Sequence, residues 1–124
     1  GDIVAYDFSN TDGQVYTHVV QADTASWASA IPAGIVQSRA VDKTGGVTAI
    51  ASGEECDVVF WGYVPVANVT TGVAAGAPVA IGSTGGRGIA AVDTTASATV
   101  QVVGIAAATA SGNLGAIVVN VPKP

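Results

Sequence analysis

From Val58 to the C-terminus the chain carries only three charged side chains, Arg87, Asp93 and Lys123, in a stretch dense in Val, Ala, Gly and Thr. A soluble domain usually keeps about a quarter to a third of its surface charged, so this half is expected to cover much of its outside against other chains. Of all 124 residues, 49% are hydrophobic and 10% charged, the reverse of the balance that keeps chains disordered. The chain should therefore fold, and its length suits one domain with one modest core.

Charge narrows the partners. A net charge of -5 with four Lys+Arg in all leaves no basic patch able to neutralise several phosphates together, as nucleic-acid binding requires. Nucleic acid and anionic membrane are excluded as expected partners. The uncharged run between Asp57 and Arg87 is long enough for a membrane span, but Pro65, Asn68, Gly72, Gly76 and Pro78 break it too often for a continuous apolar helix. No secretory signal is read at the N-terminus, and the single cysteine, Cys56, allows no intrachain disulfide and fits folding in a reducing cytosol.

Short β-forming runs separated by turn residues set the expected fold. Ile3 to Phe8 and Gln14 to Val20 flank Ser9-Asn10-Thr11-Asp12-Gly13, a hairpin pattern. Asp23 to Ala30 reads as a loop or single helical turn holding Trp27, stopped at Ile31-Pro32. Gly34 to Val41 and Val47 to Ala51 flank a second hairpin loop, Asp42 to Gly46. Asp57 to Val64, the densest cluster of bulky β-formers, is expected to be the central strand, with Pro65 ending it or marking a bulge. Further strands are expected at Pro78 to Ile81, Gly88 to Val92, Thr99 to Ala107 and Gly115 to Val121. Strands at this spacing, with no amphipathic helix between them, predict an all-β fold: a small antiparallel barrel or sandwich. Residues 1–20 would form an extended N-terminal arm or hairpin and 21–124 the main β-domain. The recurrences Gly72-Val73-Ala74-Ala75, Gly88-Ile89-Ala90-Ala91 and Gly104-Ile105-Ala106-Ala107 are read as coincidence in a chain rich in Gly and Ala.

Motifs for chemistry are weak. His18 is the only histidine, too little for a zinc site of the usual type. No serine stands in a nucleophile-elbow pattern, and Cys56 has no neighbouring cation in sequence to activate it. Asp7, Asn10, Asp12 and Gly13 do not place ligands at the alternate positions of a calcium loop. Glu54 and Glu55 are adjacent, so on a strand they would face opposite ways. Gly85-Gly86-Arg87-Gly88 leads into a strand rather than a helix and reads as a hairpin tip instead of a phosphate cradle. Asn68-Val69-Thr70 matches a glycosylation sequon, a pattern common by chance. The expectation is a non-enzyme without metal or cofactor.

Gly53-Glu54, the run Val58 to Val64 ending in Gly62-Tyr63-Val64, then Gly76-Ala77-Pro78-Val79, Val103-Gly104-Ile105-Ala106 and the closing Ala116 to Val121 together resemble the small β-rich decoration, or cement, proteins of tailed-phage capsids. The likeness spans roughly the C-terminal two thirds. It implies a structural virion protein, made in the host cytoplasm and seated on the capsid surface, commonly as a homotrimer bound where major capsid protein subunits meet. On this reading Ile3, Tyr6, Phe8 and Trp27 are expected to touch the shell, the free backbone edge of Ile3 to Phe8 to add a strand to it, and the charge-poor second half to join copies. Trp61 and Tyr63 would be intersubunit or core aromatics. The rival readings are a ligand-binding β-module that stacks glycans on Trp27, Trp61 and Tyr63, and another phage tail or virion structural protein.

Overall fold

A computed structural model of the chain describes residues 1–9, 17–24, 31–39, 50–91 and 102–121, with Ser38 and Arg39 by their backbone alone. Among these, nine strands occur: β1 (Ile3–Tyr6), β2 (Val19–Gln21), β3 (Pro32–Arg39), β4 (Cys56–Val59), β5 (Trp61–Asn68), β6 (Pro78–Ile81), β7 (Gly88–Ala90), β8 (Val102–Ala106) and β9 (Leu114–Asn120). They form a four-stranded sheet A, ordered β2-β1-β3-β4, and a five-stranded sheet B, ordered β5-β9-β8-β6-β7, in which every paired neighbour is antiparallel. The sheets do not close into a barrel. The fold is all-β, and of the two expected architectures it is the sandwich.

Alternation along each strand decides which residues meet between the sheets. Ile3, Ala5 and Ile35 from sheet A pack in one cluster with Val64, Ala67, Val79, Ile81, Val103, Ala106, Ile117 and Val119 from sheet B. All these are Ala, Val or Ile, so the layer is thin and free of polar atoms that would need partners. Gly104 lies where β8 passes β9 so closely that an added Cβ would sit 2.2 Å from the Val118 carbonyl oxygen.

Two bulges adjust sheet B. In β8, Val79 pairs with Gly104 but Ala80 with Val102, leaving Val103 as an extra residue whose side chain joins the core. In β5, Val64 pairs with Ile117 and Ala67 with Gly115, so Pro65 and Val66 together oppose Ala116. Pro65 therefore marks a bulge, where a residue without an N–H costs no ladder bond.

Several expectations are corrected. The run Asp57 to Val64 is not one central strand: it breaks at Phe60 into β4 and β5, each at the edge of its own sheet. The corner is held by the Val121 N–H donating to the Phe60 carbonyl (2.8 Å), and Gly62 turns the chain with φ 117°, a conformation that suits glycine. The expected strand partner for β3 near Val47 to Ala51 is absent where it can be seen: Ile50 and Ala51 are not in a strand, and β3 pairs with β1 and β4. Asp42 to Gly46 and Asp12-Gly13 lie outside the described residues. The three Gly-φ-Ala-Ala recurrences are not equivalent, since the first is a loop and the other two begin in β7 and within β8.

The N-terminal segment follows the hairpin option, with Val4, Ala5 and Tyr6 opposite Gln21, Val20 and Val19. It is not a free arm. β1 has β2 on one side and β3 on the other, so it has no open edge to lend to a shell protein, and Ile3 is fully buried. We expect Ile3→Ala to lower the unfolding free energy by about 2–5 kcal/mol in urea titrations, and removal of residues 1–8 to abolish the cooperative transition. A truncated chain that still unfolds cooperatively would contradict this arrangement.

Candidate interaction surface

The same alternation that builds the core puts a second apolar layer on the outside of sheet B. Register aligns Tyr63 with Val118, Val118 with Ile105 and Ile105 with Pro78, one continuous row across β5, β9, β8 and β6. All four side chains are exposed. In a neighbouring row across β8, β6 and β7, Val102 and Ile89 are exposed on either side of Ala80, which is itself buried. Trp61 and Leu114 extend the face along β5 and β9, with Trp61 74% and Leu114 54% exposed. None of these positions is charged, and Asn120, opposite Trp61, is a neutral polar member of the face.

Sheet A is its opposite in charge. Every carboxylate among the described residues, Asp2, Asp7, Asp23, Glu54, Glu55 and Asp57, lies in sheet A or in the segments joined to it. A groove of about 750 Å³ on that side is lined by Tyr6, His18, Glu54, Glu55, Cys56 and Phe60, among others. A second, of about 690 Å³, runs past Val4, Val36 and the Ile50 to Glu54 turn. Glu54 helps to form that turn, its Oε1 accepting the Ala51 N–H at 2.8 Å.

At one end the two sheets are tied by a polar relay. The Asp2 carboxylate accepts hydrogen bonds from Gln21 Nε2 (2.6 Å) and Asn68 Nδ2 (2.9 Å), and Asn68 Oδ1 in turn accepts from Arg87 Nε (3.0 Å). Backbone bonds run in parallel: the Asn68 N–H donates to the Gly1 carbonyl (2.8 Å), Ile3 N–H to the Gly86 carbonyl (2.9 Å) and Gly86 N–H to the Ala22 carbonyl (2.9 Å). Gly86 has φ 73° and packs so tightly on Asp2 that a Cβ would sit 2.7 Å from the carboxyl carbon. The glycine-rich tip of the β6–β7 hairpin thus spends the Gly86 amide within the fold, in keeping with the hairpin-tip reading of Gly85 to Gly88. Asn68, the sequon asparagine, is half-buried and committed to the same relay.

The residues expected to touch partners separate sharply. Ile3 is turned into the core and cannot touch a shell. Tyr6 is half-buried at the end of β1, Phe8 is 43% exposed beyond it, and Trp27 lies outside the described residues. Trp61 and Tyr63, at 74% and 63% exposure, are surface aromatics, so the core alternative for them falls. Sequence reasoning missed Val118, Ile105, Leu114 and Pro78 as surface members. An outward Val in an all-apolar run such as Ala116 to Val119 carries no mark that separates it from a strand buried on both faces.

The described members of the chemical motifs have structural partners. Among the described residues no group of three or more His, Cys, Asp or Glu is placed to hold a metal ion. The Asp7 carboxylate closes the turn at Ser9, accepting both its N–H (3.0 Å) and its hydroxyl. His18 Nδ1 lies 3.1 Å from Thr17 Oγ1. The Cys56 thiol is pushed above its ordinary pKa by burial and, secondarily, by the Asp57 carboxylate beside it. No described helix is long and apolar enough to cross a membrane. Comparison with protein-family models, with curated proteins and with solved structures finds no match.

Two predictions follow from this geometry. Cys56 should react with iodoacetamide near neutral pH several-fold more slowly in the folded chain than in urea, because less thiolate is present; equal rates would contradict its environment. Asp2→Ala, which strands two side-chain donors and loosens Arg87 through Asn68, should cost about 1–3 kcal/mol by chemical denaturation, whereas Glu55→Ala should change stability by less than about 0.5 kcal/mol.

Proposed function

We propose that this chain is a non-enzymatic structural virion protein of the decoration, or cement, type, which binds the outside of a shell of major capsid protein and acts as a homo-oligomer. The observation that carries the reading is the uncharged, apolar outer face of sheet B. An antiparallel sheet with one face in a core commonly shows water a polar second face, and a face that departs from this is suited to lie against protein. The exposed carboxylates on the sheet A side stay in water on this reading, keeping decorated particles apart and soluble. Binding many copies stabilises a shell by mass action without any single strong contact.

The contact residues this reading can use differ from those expected from the sequence. With Ile3 in the core and β1 paired on both sides, strand addition by the N-terminus is no longer part of the reading; Tyr6 and Phe8 remain available at the end of sheet A. A second reading has one specific support: Trp61 and Tyr63 stand two positions apart on the same face, about 7 Å apart along the strand, and present two exposed aromatic rings on which a glycan could stack.

The deciding experiment mixes the purified chain with empty shells assembled from the major capsid protein of the same genome and sediments them. We expect saturable co-sedimentation at a fixed copy ratio and shells that withstand higher temperature when decorated. A chain that stays in the supernatant at saturating concentration, while binding immobilised glycans through Trp61, would replace this reading with the second.

A further inference from the structure

We infer that the outer face of sheet B is the contact through which two copies of this chain associate, with the row Tyr63–Val118–Ile105–Pro78 at its centre. The inference deepens the decoration reading and rests on it for the role of the oligomer, but the contact itself is argued from charge, area and the state of the sheet edges.

Charge selects the occupant. Two copies of a chain of net charge -5 repel, and the described carboxylates all belong to the sheet A side. Apposing sheet B to sheet B is the approach that keeps the exposed carboxylates, Glu54 and Glu55, on the sheet A sides of both copies, and it brings together two neutral faces that need no counter-charge from a different partner. A symmetric contact of this kind uses the same patch twice.

Area is sufficient. Taking about 150–250 Å² for a whole large side chain, the exposed portions of Trp61, Tyr63, Leu114, Val118, Ile105 and Ile89 add to roughly 600 Å². That stands at the upper end for the largest patch on a monomer, about 300–600 Å². Adding the exposed Val102, Pro65 and Pro78 carries it above about 600 Å² and toward the ~800 Å² that each partner contributes to a standard interface.

The edges direct association to the face. Edge-to-edge pairing needs an open row of backbone donors and acceptors. In β5 that row is interrupted by the bulge at Pro65 and Val66, and its last N–H, that of Asn68, is taken by the Gly1 carbonyl. At the other edge β7 is three residues long, and its Gly88 carbonyl accepts the Thr70 N–H at 2.9 Å. Both edges of sheet B are blunted while its face is left apolar.

The test is sedimentation velocity on the full chain from about 1 to about 100 µM, the range in which ordinary interfaces form, without any capsid protein. The wild-type chain should sediment as an oligomer at the upper end, Val118→Lys as a monomer with association weakened at least about tenfold, and Glu55→Lys on sheet A like wild type. Circular dichroism and the urea midpoint check that each variant is folded, and Trp61→Ser answers the same question should Val118→Lys not fold. A wild-type monomer throughout, or an oligomer that Val118→Lys and Trp61→Ser leave intact, overturns the inference. Shell co-sedimentation separates the two claims: a monomer that still decorates shells sinks only the self-contact, and an oligomer that ignores them sinks only the capsid reading.

Discussion

The five-stranded sheet is apolar on both faces, and the rest of the molecule covers one of them. Val64, Val79, Ile117 and Val119 are completely buried against sheet A, while Tyr63 and Val118, one position along the strand from Val64, Ile117 and Val119, and Ile105, the cross-strand partner of Val118, stand out on the opposite side. Burial of apolar area drives both folding and association; the inner layer accounts for the sandwich, and the outer layer, exposed in the single chain, is what the proposed contact between copies would cover. With a second copy on the outer face, as proposed, the scarcity of charge after Val58 would have one cause in both places: a side chain between two protein layers has no water to solvate a charge. Sheet A alone can satisfy only one of those layers.

What keeps the outer face presentable is the tie at the other end of the fold. Sheet B would be free to slide or splay against a thin core of Ala, Val and Ile, whose smooth surfaces fix register weakly. Asp2 prevents this by accepting from Gln21 of sheet A and Asn68 of sheet B at once, and the hairpin tip at Gly86 is threaded into the same corner by backbone bonds to Ile3 and Ala22. Hydrogen bonds to a charged acceptor are stronger than neutral ones, and here the charge sits at the periphery, where water still reaches it. The polar relay therefore supplies the direction that the apolar layer lacks, and the bulges at Val103 and Pro65 absorb the mismatch between strands of unequal reach.

Much of the fold was legible in the sequence because strand length, turn residues and apolar alternation are local signals. β6, β7 and β9 fall within a residue or two of their expected limits, and the Gly82 to Gly86 turn closes the hairpin it suggests. The errors share one physical origin, which is that a run of β-formers does not record which sheet it belongs to. Asp57 to Val64 looks like one strand because both halves prefer extended backbone; only the corner at Phe60 and the positive φ of Gly62 reveal the change of sheet. Ile3 was misplaced for a similar reason, since a short apolar segment at the end of a sequence has the same pattern whether it lies free or is paired on both sides. Of the surface, the lack of charge was readable while the identity of the outward row was not, because inward and outward valines are the same residue.

The separation of charge between the sheets constrains orientation more than any single contact does. If the acidic side were pressed on a partner, its exposed carboxylates, Glu54 and Glu55, would lose their water, and removing a charge from water costs several kcal/mol per group unless a new partner replaces it. The chain offers Arg87 as its one described cationic side chain, and it is already turned to Asn68. Covering the neutral face carries no such penalty, since its one polar side chain opposite Trp61, Asn120, can be satisfied by water at a rim or by a neighbouring amide. On the proposed contact, the uncharged strands are therefore the side that a second copy covers at least cost, and the carboxylates the side left to solvent.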